Sequence, residues 1–248
     1  MTVFITIPLS HYCEKARWAL DRLEVPYRED PHAPLLHRLA TRRHKGGSVP
    51  ILVHDGHCIA DSTAILEYAD SMAGGDRLYP REPAMRQEVS ALEDHFDAQL
   101  GPHVRRWAYL DLLAKPALLR ALWSRGVPGL EAFALSMMIP VARRLVRTAY
   151  KVTPDGARRS LERVRECFRL VDERLADGRP FLVGGRFTAA DLTFAALAAP
   201  ALLPAECRAV QPAFEALSVG MQEEITGLRS MVAGRFALRL FAQERTAH

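Results

Sequence analysis

The stretch Val3-Phe4-Ile5-Thr6-Ile7-Pro8-Leu9-Ser10-His11-Tyr12-Cys13-Glu14-Lys15-Ala16 decides the reading of the first half of the chain. Five residues rich in β-branched and aromatic side chains read as a short buried strand, and Pro8 closes it. Ser10 is then a helix N-cap, and Ala16, Leu20 and Leu23 recur at helical spacing. Working outward, Val25 and Tyr27 begin a second extended piece, and residues 34–43 look helical, with Leu35, Leu36 and Leu39 on one side. Pro50-Ile51-Leu52-Val53 and Cys58-Ile59-Ala60 flank Asp55-Gly56, the pattern of a hairpin. Asp61 and Ser62 offer a cap to a further helix carrying Ile65 and Leu66. The order strand, helix, strand, helix, strand, strand, helix is an α/β unit on a small sheet.

Gly74-Gly75-Asp76-Arg77-Leu78-Tyr79-Pro80-Arg81-Glu82-Pro83 concentrates Gly, Pro and charge, which marks a linker. Beyond it only helical patterns recur, over 85–114, 118–123, 130–150, 155–176, 189–198 and 228–243. The expected division is therefore 1–75, an α/β domain, then 76–83, a linker, then 84–248, an all-helical domain. The apolar run 130–141 leads into Arg143 and Arg144. Core packing is the commoner fate of such a stripe, and a membrane-surface helix is the other reading.

The chain has 248 residues, 49% apolar and 25% charged, with a net charge of +4. These are globular values, and the basic residues are spread too widely to single out nucleic acid as a partner. MTVFITIPLS lacks the basic flank of a leader peptide, and no apolar run is long enough to span a bilayer. Cys13, Cys58, Cys167 and Cys207 fit neither a metal spacing nor a CxxC pair. Free thiols in a reducing, cytoplasmic setting are expected, with no metal and no stable membrane insertion.

Three segments carry chemistry. Ser10-His11-Tyr12-Cys13 sits where a helix N-terminus presents unpaired N–H groups and the positive end of its dipole, which stabilise a thiolate. Ser10 is open to a second reading, as a plain capping hydroxyl with Cys13 a small buried hydrophobe behind it. Ser48-Val49-Pro50 places proline at the first residue of a strand, its allowed position there, and a cis bond would turn the preceding backbone toward the helix. Asp61-Ser62 can hold an amino-acid headgroup, the acid taking the ammonium, or can serve only as a cap.

In this order and spacing the segments resemble the glutathione transferase family. Ser10-His-Tyr-Cys-Glu-Lys-Ala-Arg-Trp-Ala-Leu20 looks like its serine- or cysteine-type bacterial and plant members. Gly47-Ser-Val-Pro-Ile-Leu52 and Ala60-Asp-Ser-Thr-Ala-Ile-Leu-Glu-Tyr68 look like its glutathione-site motifs. Phe181-Leu-Val-Gly-Gly-Arg-Phe-Thr-Ala-Ala-Asp-Leu192 carries its S/T-x-x-D capping box at Thr188 and Asp191. Residues of about 115–160 have no counterpart and look like an enlargement.

The resemblance implies a thioredoxin-like N-terminal domain, an all-helical C-terminal domain and a homodimer. It implies an enzyme that activates glutathione, as substrate, and conjugates it to a small electrophile, a detoxifying transferase activity. Ser10 would hydrogen-bond the sulfur, Val49 would pair its backbone with the cysteinyl part before a cis Pro50, and Asp61 and Ser62 would hold the γ-glutamyl end. Ser48 stands where the family has Lys, Gln or Arg, so Lys45, His32, His37 and His44 are candidates for the glycine carboxylate. Leu9 and His11 would form one wall of the electrophile site, and Trp107 and Tyr109, with Arg105 and Arg106 beside them, the other. Two rivals remain: glutathione-dependent disulfide reduction by Cys13, and a non-catalytic adaptor or ligand-binding protein on the same fold.

Overall fold

A computed structural model describes residues 2–44 and 47–245. Four strands form one sheet: β1 (Val3–Thr6), β2 (Arg28–Pro31), β3 (Ile51–His54) and β4 (His57–Ala60), in the order β2-β1-β3-β4. β1 runs parallel to β2, with Val3 beside Arg28, and antiparallel to β3, with Phe4 beside Leu52. The Asp55-Gly56 turn joins β3 to β4, and both of its residues take positive φ. Helices α1 (His11–Arg22), α2 (His37–Thr41) and α3 (Ser62–Met72) complete this thioredoxin-like unit.

Two local expectations needed correction here. The second strand starts at Arg28, not near Val25, because Val25 N–H closes the end of α1 on the Leu20 carbonyl while Glu24 turns left-handed. The helix expected over 34–43 shrinks to His37–Thr41, and Leu39 is 68% exposed. Leu35 has a positive φ, which stops a helix from starting at Pro34.

Eight α-helices follow among the described residues: α4 (Pro83–Gln99), α5 (Gly101–Leu112), α6 (Pro116–Ser124), α7 (Gly129–Ala149), α8 (Pro154–Arg174), α9 (Ala189–Leu202), α10 (Val219–Ser230) and α11 (Val232–Glu244). The sequence pattern over 85–114 reads as one helix but breaks at Leu100. Pro102 has no N–H for the preceding turn, and its ring crowds the carbonyl four residues back. The pattern over 228–243 likewise divides at Met231. The chain turns so tightly there that a Cβ on Gly234 would overlap the Leu228 carbonyl. Helix α10 begins at Val219, well before the pattern suggested.

α9 lies at the centre, packed against α1, α4, α5 and α11 and buried on nearly every side. The Asp191 carboxylate accepts from Thr188 N–H, Thr188 Oγ1 and Leu182 N–H, each at 2.8 Å, so the start of α9 is tied to the loop before it. This is the capping box read from the sequence.

α7 departs from the core-packing expectation. It buries Leu135, Ile139, Ala142 and Val146 but leaves Leu130, Phe133 and Met137 81%, 66% and 73% exposed. Its N-terminal end reaches back to the sheet domain. Glu131 Oε2 accepts from Ala33 N–H at 2.8 Å, and Oε1 lies 2.7 Å from His32 Nδ1. Among the described residues no helix is long and apolar enough to cross a membrane.

Candidate functional site

Ser10 ends the β1–α1 loop with extended backbone, and its hydroxyl oxygen accepts from Cys13 N–H at 3.3 Å. The oxygen therefore stands over the N-terminus of α1, and its own proton remains available to an acceptor in front of the helix. Cys13 lies behind it, 0% exposed, and burial pushes its thiol up to about 11, against a smaller opposing effect of the Ser10 hydrogen bond. A neutral, enclosed thiol is a poor nucleophile.

His11 and Tyr12 fasten this loop to the helical domain. His11 Nε2 donates to the Gly101 carbonyl at 3.1 Å, and Tyr12 donates to the Asp97 carbonyl at 2.9 Å. Burial, aided by the positive charge of Arg105, lowers the His11 imidazole to about 3, so it is neutral. The contact needs glycine at 101, because a Cβ there would overlap the Tyr12 hydroxyl.

The Val49–Pro50 bond is cis, as the resemblance implies. Gly47, Ser48 and Val49 border the same open space as Ser10. Asp61 caps α3 through a 2.8 Å bond from Thr63 N–H, with φ of 90°. A non-glycine residue held at that φ carries backbone strain, a feature that clusters at functional sites. Asp61 is exposed and Ser62 buried, and neither borders the large cavity. Thr63 Oγ1 meets Glu93 and Asp97, both of which pair with the buried Lys15.

That cavity, of about 510 Å³, lies between the sheet domain and the helices. Leu9, Ser10 and His11 form one side. Arg105, Ala108, Tyr109 and Leu112 form the facing side, at the i, i+3, i+4, i+7 spacing of one face of α5. α7 contributes Leu145, Val146 and Ala149, and the loop after α9 contributes Leu203, Cys207 and Gln211.

Of the expected wall residues, Leu9, His11 and Tyr109 line this space, with Arg105. Trp107 does not: it is 5% exposed and packed in the core, two residues round the helix from Arg105. Arg106 also turns away, donating to the Tyr150 carbonyl and to Ser160 Oγ. Of the candidates for the glycine carboxylate, His32 is engaged by Glu131 and Asp30, whereas His37 lines the cavity. Lys45 lies outside the described residues. Sequence reasoning missed Arg38, which lines the cavity beside His37, and Tyr150 at the end of α7. Arg38 sits in the short helix whose pattern was misplaced, and Tyr150 in the stretch without a counterpart.

Comparison with known proteins points one way. Residues 4–77 match a model described as "Glutathione S-transferase, N-terminal domain", and residues 154–218 one described as "Glutathione S-transferase, C-terminal domain". The stretch between, which holds α4 to α7, is matched by neither. A probable glutathione S-transferase of Solanum tuberosum is 38% identical over 81 residues, 31% of this chain and 35% of that protein. The match thus spans about a third of that relative's length.

Among solved structures, a glutathione S-transferase of Ceriporiopsis subvermispora in complex with glutathione has a TM-score of 0.64 at 18% identity, covering 100% of this chain and 98% of that one. A beta-etherase of Sphingobium sp. strain SYK-6 has a TM-score of 0.62 at 18% identity over 96% and 98% of the two chains. A possible glutathione S-transferase from Rhodopseudomonas palustris has 0.61 at 17% over 99% and 96%. These likenesses establish the fold, and the two matched stretches together take in more than half of the sequence. The chain is therefore a member of the glutathione transferase family.

Proposed function

We propose that this protein activates glutathione as a thiolate at Ser10 and transfers it to a small electrophile held in the cavity. The observation that carries this reading is the position of Ser10 Oγ, over the N-terminus of α1 and at the border of the cavity. Because Oγ accepts the Cys13 N–H, its hydroxyl proton points to an incoming sulfur.

The energetics suffice. A thiol of pKa about 8.5 is a few per cent ionised at neutral pH. Lowering it by about two units takes about 2.7 kcal/mol. One hydrogen bond to a charged acceptor supplies about 1.5–3 kcal/mol, and the helix dipole about 0.3–1 kcal/mol. The thiol proton leaves to solvent, sulfur attacks the electrophilic carbon, and the leaving group departs with its electron pair. No metal enters this scheme. The backbone of Val49, the headgroup pair Asp61 and Ser62, and Ser48, with Arg38 and His37 at the far end, are assigned to holding glutathione.

Disulfide reduction by Cys13 is disfavoured by its burial and raised pKa. The same reading takes 1–75 as the glutathione domain, 76–83 as linker and 84–248 as the helical domain, in a cytoplasmic homodimer. Sedimentation at micromolar concentration tests the dimer; a single species of 27.7 kDa refutes it.

Ser10→Ala tests the mechanism. Glutathione affinity, measured by calorimetry, is expected to persist. Turnover of chlorodinitrobenzene is expected to fall about ten- to a hundredfold, the value of one charge-assisted hydrogen bond. Unchanged turnover removes Ser10 from the mechanism. Failure of the unmodified protein to bind glutathione leaves the adaptor reading in its place.

A further inference from the structure

We infer that the helical side of the cavity is an anion subsite, and that the second substrate is an apolar molecule bearing a carboxylate that binds Arg105. This deepens the proposed function and rests on it for the word substrate; the subsite itself stands on the geometry of α5.

Arginines elsewhere inside this protein have partners. Arg17 pairs with Glu14 and Glu29, Arg245 with Glu14 and Asp21, and Arg143 donates to the Leu113 carbonyl. Arg105 differs. No carboxylate lies within ion-pair distance of it among the described residues, and its Nε is buried without a hydrogen-bond partner. The Tyr150 carbonyl nearby is taken by Arg106. What holds Arg105 is aromatic: its guanidinium carbon lies 4.2 Å from the centroid of the Tyr150 ring and 6.0 Å from that of Tyr12.

Two rings attract the cation and fix its plane, but they accept no N–H in the plane of the fork. A partly desolvated guanidinium with an idle fork gains most from a planar oxyanion, which takes two parallel N–H donors at once. Its surroundings agree. Arg38 and Arg105 line the cavity together with the neutral His11 and with His37, and among the described residues no Asp or Glu does. The carbon surface that the same cavity draws from Leu112, Leu145 and Val146 suits the apolar body of the ligand. Arg38, which lines the cavity from the sheet domain as Gly47–Val49 do, is left to glutathione.

The test separates charge from shape. Calorimetry with 4-phenylbutyrate and its uncharged isostere 4-phenylbutyramide is performed without glutathione, on the full chain, on Arg105→Met and on Arg38→Met. The unmodified protein is expected to bind the acid at least tenfold more tightly than the amide. Arg105→Met is expected to erase that preference, and Arg38→Met to keep it. Arg105→Lys, which keeps the charge without the fork, is expected to retain part of it and serves if the Met variant fails to fold.

Equal binding of acid and amide by the unmodified protein, binding of neither, or a preference that survives Arg105→Met overturns the proposal. A second arm compares conjugation of 4-chloro-3-nitrobenzoate and its methyl ester. Loss of the acid preference in KM but not kcat on Arg105→Met is the expected signature. No turnover of either compound, with the acid preference intact by calorimetry, overturns transferase activity while leaving the subsite standing.

Discussion

Ser10 and Val49 reach the cavity through features of their own neighbourhoods, a helix cap and an X-Pro turn, whereas Arg105, Tyr109 and Leu145 reach it from helices that meet only in the folded chain. On the first side the backbone does the positioning: a cap residue, a cis proline and a strained Asp61 place groups that need not be large. On the second side each group is a long side chain, whose direction depends on which face of α5 or α7 turns inward. The sheet side therefore suits a ligand whose polar backbone does not vary, and the helical side suits one chosen by shape and charge. The two are joined where His11 and Tyr12 bond the carbonyls of Gly101 and Asp97.

The largest expected effect strikes both sides together. α9 backs both α1 and α5, and Asp191 holds its start. Asp191→Ala strands the Thr188 and Leu182 donors in the interior, at a cost of about 3 kcal/mol or more. A fall in Tm of roughly 6–12 °C follows for a chain of this size. If glutathione binding near room temperature drops before the protein unfolds, α9 supports the sheet side more than the helical side.

The next prediction bears on the sheet side alone. Asp61→Ala removes an exposed carboxylate that caps α3 by accepting the Thr63 N–H, so stability is expected to fall by about 1 kcal/mol. Glutathione affinity is expected to fall by about 2–3 kcal/mol, or roughly 30- to 150-fold, through loss of the ammonium contact. Equal losses in calorimetry and thermal melting would reduce Asp61 to a cap.

The junction between the two sides titrates. Folded His11 stays neutral down to about 3, whereas the same residue in the unfolded chain takes a proton near its ordinary value of 6.5. Below pH 6.5 the unfolded state thus binds the extra proton, and stability declines as the pH falls, by up to about 1.4 kcal/mol per unit. Between pH 6.5 and 5 that amounts to about 2 kcal/mol. His11→Gln keeps a donor for the Gly101 carbonyl and is expected to flatten this part of the curve relative to the unmodified protein. Equal slopes in urea melts across that range would mean that the junction opens to admit the proton.

The contrast also explains what could be read from sequence. β1, the Asp55-Gly56 hairpin, the Ser10 cap and the Thr188–Asp191 box are short-range patterns, and each was legible. Arg38 was not, because a left-handed Leu35 displaced the helix start and with it the register of 37–41. Trp107 was misplaced because apolar size marks a residue for a core as readily as for a cavity, and only the neighbours of α5 decide which. Arg105 was named beside Tyr109 at that wall, but nothing in sequence separated it from Arg106, because its Tyr150 partner lies 45 positions away.

The smallest effect belongs to the outer face of α7, a stripe whose commoner reading in sequence is core packing. α7 is apolar around most of its circumference, but the domain covers one side: Leu135 and Ile139 turn inward, and Phe133 and Met137 face out. Apolar area that stays in water contributes nothing to folding, so removing it costs nothing through burial. Phe133→Ser is expected to change stability by no more than about 0.5 kcal/mol, whereas Leu135→Ala, two residues on, is expected to cost about 2–5 kcal/mol. Val146 and Ala149 point to the cavity from the inner side, so turnover is expected to be unaffected by Phe133→Ser as well. A loss of several kcal/mol in a urea melt of Phe133→Ser would mean that this face is covered in solution. Dependence of that loss on protein concentration would identify the cover as a second copy of the chain.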